Sequence, residues 1–220
     1  MDDRLIQILL DSFGKMLIPG LAVTIPLTLI TFMLGLVVAM VVALIQIAKL
    51  PFLTLLCRIY IWIFRSVPLL VQLYIIFYGL PSIGLKIDAI PSAIIAFTLN
   101  VGAFSAETLR AAILSVPKGQ LEAGYCVGLT FSQTMRQIII PQAFRFAFPP
   151  LFNTFISLTK NTSLAANITV TEMFMTSQRI AAVTYEPLAL YCEVGFIYLI
   201  FCTVLTKIQD LCEKKLQLVG

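Results

Sequence analysis

The sequence predicts an all-α membrane protein with about five transmembrane helices. Its mean hydropathy is +0.98, and only 12% of its 220 residues are charged, whereas about a quarter are charged in a typical soluble domain. Three runs contain no charged residue, namely residues 16–48, 66–85 and 89–106. Since a helix needs roughly 20 mostly apolar residues to cross a bilayer, these runs predict membrane spans. At this length we expect one membrane domain, residues 1–220, and no separate soluble catalytic domain.

The apolar runs and the residues that interrupt them place the individual spans. We predict spans at about 19–47, 53–79, 90–114, 141–161 and 187–210. Pro68 is expected to kink the second span, because proline removes a helical hydrogen bond. Residues 2–15 are interpreted as a short amphipathic segment at the membrane surface, and residues 168–183 as a short surface helix.

The lysine and arginine residues predict the orientation of the chain. Five spans place the termini on opposite sides, with nine basic residues near one side and four near the other. The nine are Lys49, Arg58, Arg110, Lys118, Arg136, Arg145, Lys207, Lys214 and Lys215, and the four are Arg4, Lys15, Lys86 and Arg179. The positive-inside rule assigns the richer side to the cytoplasm. We therefore expect the N-terminus outside and the C-terminus in the cytoplasm.

Composition excludes several classes of function. The chain contains no histidine, which excludes histidine-based catalytic triads and histidine-ligated metals, and its five cysteines form no C-x-x-C pair. It also lacks the G-x-x-x-x-G-K-[ST] motif that cradles nucleotide phosphates, so energy from ATP would have to come through another chain. We expect no metal, no cofactor and no nucleic acid bound to this chain.

The stretch EAGYCVGLTFSQTMRQIIIPQA, which runs from Glu122 to Ala143, is too polar to be a span but has a helical pattern. One helix face is formed by Leu121, Tyr125 and Leu129. Gly128 can end this helix in a left-handed conformation, and Thr130 with Gln133 predicts a capping box that starts a second helix. Such a pair of short helices either seats its apolar face in a groove on a partner or rests on the lipid surface.

Several motifs resemble one family of transporters. Glu122-Ala123-Gly124, followed by Gly128 and by Ile139-Ile140-Pro141, resembles the EAA loop of ABC importer permeases. The stretches FRSVPLLVQLYIIFYGLP, AETLRAAILSVPKGQLEA, IIPQAFRFAFPPL and FISLTKNTSLA are similar to polar amino acid permeases over residues 19–210. Within that group, GLKIDAIPSAIIAF is most similar to the cystine type.

The resemblance implies a type I ABC importer permease fold in a prokaryotic inner membrane, with residues 117–140 as the cytoplasmic coupling loop. The implied coupling residues are Glu122, Ala123, Gly124, Gly128 and Pro141. Two cytoplasmic ATPase subunits would carry ATP and magnesium, and an extracytoplasmic binding protein would deliver the amino acid. A second copy of this chain, or a homologue, would complete the membrane pathway.

Ionisable residues within spans are functional candidates, because each costs roughly 2.5–3.5 kcal/mol to insert. Lys160, with the neighbouring Asn161, Thr162 and Ser163, could meet a substrate carboxylate, and Glu107 could meet an ammonium group. Alternatively, Glu107 forms a structural pair with Arg110 or Lys160. Asn161 stands where aspartate is common in the family, which disfavours a cationic substrate.

Three further residues are candidates for the substrate pathway. Arg65 could line the pathway or extend its charged group to the lipid headgroups. Gln72 and Asn100 could contact substrate or form hydrogen bonds between helices. The sequence thus predicts a permease for a polar amino acid, with L-cystine favoured over glutamine or a basic amino acid. An ion-coupled secondary transporter that uses Glu107 as a proton site is the alternative of a different class.

Overall fold

The computed structural model describes residues 3–218, so the outermost residues of the predicted 1–220 domain and of the 2–15 segment lie outside it. Nearly all of the described residues are helical, and none of them is in a β-strand. The α-helices in this range are α1 (Asp3–Pro19), α2 (Ile25–Ala48), α3 (Pro51–Ser66), α4 (Leu69–Tyr74), α5 (Ala89–Ser115), α6 (Lys118–Cys126), α7 (Phe131–Thr134), α8 (Ile140–Asn161), α9 (Met173–Thr184) and α10 (Pro187–Leu218).

Three π-helical turns interrupt this succession, and each precedes a proline. They span Gly20–Thr24, Ile75–Gly79 and Met135–Ile139, and in each case a proline lies two residues beyond the turn, at Pro26, Pro81 and Pro141. A proline ring clashes with the carbonyl four residues earlier and supplies no N–H. In all three cases that carbonyl lies inside the wider π turn, which accommodates the ring without ending the helix.

The first π turn corrects the prediction for the N-terminal segment. The 2–15 segment is not a separate surface helix, because its described part belongs to a continuous helix of 46 residues, Asp3–Ala48. Its amphipathic pattern instead reflects packing within the protein. Ser12 and Met16 are buried, and α1 packs against α9 and α10 around Met173 and Leu190.

Helices long and apolar enough to cross a membrane are Asp3–Ala48, Ala89–Ser115 and Pro187–Leu216, and the pair Pro51–Ser66 with Leu69–Ile83 makes a fourth if it forms one span. The members of that pair meet at 106°, which is a break rather than the predicted kink. Pro68 forces the preceding residue into extended backbone, and Val67 has a ψ of 131°. α8 has 22 residues, or about 33 Å, which is long enough for the fourth predicted span, residues 141–161.

The main core lies between α2 and α5. A Cβ added to Gly35 of α2 would lie only 2.6 Å from Cγ1 of Val101 on α5. Small residues of this kind allow membrane helices to approach closely, where dispersion forces hold them together. α8 packs against both helices, and the ring of its Phe155 lies 5.0 Å from that of Phe32 on α2, so the three helices share one core.

Glu172 is a buried acidic residue that sequence reasoning did not select. It is fully buried and caps α9, accepting hydrogen bonds from the backbone N–H groups of Phe174 (2.8 Å) and Met175 (2.6 Å). The hydroxyl of Tyr198 donates to the same carboxylate at 3.2 Å. Burial raises the pKa of the Glu172 carboxyl, and the three hydrogen bonds oppose that shift. The residue therefore joins the start of α9 to α10.

Candidate functional site

The 117–140 segment begins with α6, and Gly128 ends that helix as predicted. Gly128 has a φ of +81°, a left-handed conformation that glycine adopts without steric cost. The N–H groups of Gly128 and Leu129 donate to the carbonyls of Tyr125 and Gly124, both at 3.0 Å. These bonds satisfy carbonyls that a helix end would otherwise leave free, and the chain turns sharply here.

The predicted capping box starts the next helix. The Thr130 hydroxyl accepts from the Gln133 N–H at 3.3 Å, and the Gln133 side-chain oxygen accepts from the Thr130 N–H at 2.8 Å. α7 then continues through the π turn into α8 without a non-helical residue. Pro141, predicted to mark the entry to the fourth span, therefore lies within continuous helix and is exposed.

Gly124 locks the two short helices together. It is the buried member of the Glu122-Ala123-Gly124 triplet. A Cβ added to it would lie 2.4 Å from Cγ2 and 2.6 Å from Oγ1 of the buried Thr134. No side chain fits in this space, which explains physically why glycine stands at the third position of the triplet.

The segment is anchored on one side and exposed on the other. Val116, Ile139 and Ala143 form a small buried cluster, against which Leu121 packs. On the outer side, Glu122 and Ala123 are exposed. In α6, α7 and the turn between them, the large exposed apolar side chains are Tyr125 (49% exposed), Val127 (74%) and Phe131 (58%). Such a patch is typical of a protein interaction site, and sequence reasoning missed Val127 and Phe131, which lie off the predicted helix face.

A cavity of about 470 Å³, lined by both polar and apolar side chains, lies where α3 breaks, between α4, α5 and α8. The predicted residues Arg65, Asn100 and Asn161 line it, and Asn153, Thr154 and Ser157 of α8 complete its polar wall. The guanidinium carbon of Arg65 lies 5.2 Å from the ring centroid of Phe104, which holds the cation by a cation–π contact. The cavity thus offers one cation, three amides and two hydroxyl groups.

Gln72 lies behind this cavity and stabilises the break in α3. Its side-chain amide is buried and donates to the carbonyls of Phe64 (3.0 Å) and Val67 (2.8 Å). Asn100 donates to the Phe64 carbonyl at 3.1 Å and to the Gln72 side-chain oxygen at 3.4 Å. A helix end leaves its last carbonyls unsatisfied, and these two amides satisfy them, so Gln72 positions Asn100 rather than lining the cavity.

The other predicted pathway residues lie elsewhere. Glu107 forms an ion pair with Arg110, one of the two pairings that the sequence left open, and lines a different cavity. Lys160 is exposed and is not among the residues that line either cavity. Thr162 is buried and donates to the Thr159 carbonyl at 2.7 Å, and Ser163 donates to the Lys160 carbonyl at 2.8 Å. Both hydroxyl groups therefore serve as hydrogen-bond donors to backbone carbonyls at the C-terminal end of α8.

The spacing of residues in the sequence could have identified the cavity residues that the sequence analysis did not select. Asn153, Ser157 and Asn161 follow one another at intervals of four, which places them on one face of α8. Lys160 lies about 100° around the helix from Asn161 and so points away from that face. Spacing within α8 could therefore have selected the lining residues, although it could not have shown which face meets α3.

These features are those of a helical membrane transport component. A family model described as "Binding-protein-dependent transport system inner membrane component" matches residues 35–218. The chain belongs to this family. Its relatives include the L-cystine transport system permease protein TcyB of Bacillus subtilis (strain 168), 47% identical over 94% of this chain and 88% of that protein. Another is the nopaline transport system permease protein NocM of Agrobacterium fabrum, 35% identical over 94% of this chain and 90% of that protein.

Solved structures show the same architecture. An amino acid ABC transporter crystallised with histidines matches with a TM-score of 0.89 and 30% identity, over 98% of this chain and 100% of the other. The inward-facing MetNI methionine ABC transporter matches with a TM-score of 0.72 over 98% and 99% of the two chains, and its 20% identity shows the shared fold alone.

Proposed function

We propose that this chain is the membrane-spanning permease subunit of an ATP-driven importer for a polar amino acid, and that this amino acid is L-cystine. The observation that carries the proposal is the construction of the 117–140 segment. Two short helices are locked together at Gly124 and present an exposed apolar patch outside the bundle. The 47% identity to an L-cystine permease supports the choice of substrate.

The exposed patch is the proposed docking surface for the ATPase subunit. Glu122, Ala123 and Tyr125 lie on the outer side of α6, and Gly128 sets the turn that follows. Because α7 continues helically into α8, a displacement of the patch reaches the cavity wall formed by Asn153, Thr154 and Ser157. ATP and magnesium would be bound by the partner, since this chain carries no phosphate-binding motif.

The 470 Å³ cavity is the proposed substrate site, with a volume in the usual range for small-molecule pockets. Arg65 would hold a carboxylate, and the amide oxygens of Asn153 and Asn161 would accept hydrogen bonds from ammonium groups. The described lining contains no carboxylate, so a cationic amino acid would find no counter-charge there. Cystine carries equal numbers of carboxylate and ammonium groups at neutral pH and suits this lining better.

The assembly proposed around this chain has four further subunits. Two ATPase subunits would bind the 117–140 segments on the cytoplasmic side, and a binding protein would dock on the opposite side. A second copy of the chain, or a homologue, would complete the pathway within the lipid. The distribution of basic residues supports an external N-terminus and a cytoplasmic C-terminus.

In the proposed cycle, closure of the ATPase dimer moves the docked segments together and rotates the helices between outward and inward openings. ATP and the loaded binding protein can drive this change only if each binds the two states with different affinity. The close contact between Gly124 and Thr134 would make α7 move together with α6.

The test is the ATPase activity of the purified assembly in lipid discs, with its binding protein and L-cystine, L-glutamine or L-arginine. We expect cystine to stimulate hydrolysis most. Gly128→Pro, which is incompatible with a φ of +81°, and Glu122→Ala should abolish or reduce stimulation while the complex stays assembled. Gly119→Ala, on the same helix but in open space, is the matched control.

Each failure has a distinct meaning in this experiment. Stimulation by a different amino acid would contradict the assignment of cystine but support an amino acid importer. Absence of stimulation by every amino acid, or a Gly128→Pro variant that behaves like wild type, would contradict coupling through the 117–140 segment.

A further inference from the structure

A second and larger cavity, of about 880 Å³, lies at the end of the bundle that carries the 117–140 segment. Its walls are the end of α2, the first half of α3 and the last turns of α5. Lys49, Arg58 and Arg110 line it together with one carboxylate, that of Glu107. None of the functions assigned above uses this cavity.

The charges in this cavity are not balanced. Arg110 and Glu107 neutralise each other as an ion pair. The side chains of Lys49 and Arg58 have no hydrogen-bond or ion-pair partner among residues 3–216, which leaves two uncompensated positive charges. Lys49 is also held in the left-handed conformation with a φ of +54°, which is uncommon for a residue with a side chain. The cavity therefore favours an anion.

An unsatisfied acceptor lies in the same place. The side-chain oxygen of Gln46 is buried and has no hydrogen-bond partner among the described residues, and Gln46 lines the cavity. Buried polar atoms almost always have partners in folded proteins. A ligand that combines an anionic group with a hydroxyl donor would satisfy both Gln46 and the two cations.

Part of the cavity lining is apolar and exposed. Leu55, Trp62 and Leu114 line the cavity and are 55%, 69% and 60% exposed. Tryptophan is enriched where the hydrocarbon of a bilayer meets the headgroups. Exposed cations beside exposed apolar side chains match a molecule with an anionic headgroup and hydrocarbon chains.

We propose that this cavity binds the headgroup of an anionic phospholipid, with Lys49 and Arg58 holding the phosphate group and Gln46 accepting from a headgroup hydroxyl. Basic pockets between membrane helices are suited to such headgroups. The rival occupant is the transported amino acid, because Arg58, which lines this cavity, and Arg65, which lines the smaller one, lie seven residues apart on one face of α3. A zwitterion carries no net charge, however, and would leave both cations uncompensated.

The position of Trp62 allows a direct test, since it is the only tryptophan of the chain. The full-length protein is reconstituted in phosphatidylcholine vesicles that contain increasing fractions of dibrominated phosphatidylglycerol, and quenching of Trp62 fluorescence is measured. Dibrominated phosphatidylcholine serves as the reference quencher. We expect phosphatidylglycerol to be preferred by about tenfold, since each cation near an anionic lipid contributes on the order of a few-fold in affinity.

Variants separate a site from general attraction to the membrane. Lys49→Gln combined with Arg58→Gln should reduce the preference to near one. Arg58→Lys, which keeps the charge, should retain most of it. Lys207→Gln removes a cation from an exposed position on α10 outside the cavity and should leave the preference unchanged.

Three results would overturn the proposal. The first is equal quenching by the two brominated lipids. The second is loss of the preference when millimolar inorganic phosphate is added, which would assign the cavity to a free phosphate anion. The third is displacement of the brominated lipid by L-cystine, which would make the cavity part of the amino acid pathway. This experiment needs neither ATP nor the partner subunits, so its failure is distinguishable from failure of the proposed transport function.

Discussion

Replacement of Gly124 by alanine tests the rigid contact within the 117–140 segment. A Cβ at this position would lie 2.4 Å from Thr134 Cγ2, whereas ordinary van der Waals contact begins at 3.4 Å. α6 and α7 would have to separate by about 1 Å to remove the overlap. Thr134 is buried and branched at Cβ, so its side chain cannot move aside easily.

The expected cost follows from the behaviour of overpacked cores. Adding a methyl group to a closely packed site costs about 1–3 kcal/mol, which corresponds to a fall of about 5- to 150-fold in the population of the native arrangement. Alanine also stabilises a helix relative to glycine, by up to about 1 kcal/mol. Gly119→Ala on the same helix has that gain without the clash, because nothing lies within 4 Å of its added Cβ.

The assay compares substrate-stimulated ATPase activity and amino acid uptake in the two variants. We expect Gly124→Ala to lose most of its uptake per ATP hydrolysed, and Gly119→Ala to behave like wild type. Adding Thr134→Ala to Gly124→Ala removes the two atoms that would lie within 3.0 Å of the added Cβ and should restore activity towards the level of Thr134→Ala alone. Equal activity of Gly124→Ala and Gly119→Ala, or no rescue by Thr134→Ala, would refute the reasoning.

Four further substitutions have defined outcomes. Gln72→Leu removes the side-chain donor of the Val67 carbonyl and leaves Asn100 as the donor to the Phe64 carbonyl. It should destabilise the protein by about 1–3 kcal/mol, seen as a lower midpoint of thermal unfolding. Arg65→Gln should raise the amino acid concentration for half-maximal uptake about tenfold, roughly the loss of one charged hydrogen bond, whereas Lys207→Gln should not change it. Glu172→Ala removes the cap of α9 and should cost about 1–2 kcal/mol of stability. Gly128→Ala places a side chain at a φ of +81° and should lower the free energy of unfolding by about 1–2 kcal/mol. An unchanged midpoint of thermal unfolding would contradict this prediction.

Local signals in the sequence predicted the parts of the structure that depend on neighbouring residues. The left-handed glycine at Gly128 and the capping box of Thr130 with Gln133 are properties of four to six consecutive residues, and both are confirmed. The fold class is confirmed as well, because long apolar runs can be stable only as membrane helices. The pair of Glu107 with Arg110 could also be read from a spacing of three on one helix.

Features that depend on packing between distant segments could not be predicted. The polar face of α8 meets the break in α3 only because α5 holds both helices, so the sequence could not show that Asn153 belongs to the cavity and Lys160 does not. Gln72 looked like a substrate contact because its partners, the carbonyls of Phe64 and Val67, become available only when the helix breaks. The continuity of α1 with α2 depends on the π turn before Pro26, which no simple periodicity reveals.

The central claim is that this chain passes an amino acid across the membrane when a partner hydrolyses ATP. Its most direct test is uptake of labelled L-cystine into proteoliposomes that contain the whole assembly, with the binding protein outside and ATP enclosed. Ionophores collapse every ion gradient during the measurement. We predict uptake that requires ATP and persists without ion gradients. Uptake that is lost with the gradients and does not depend on ATP would contradict the account and support the ion-coupled alternative.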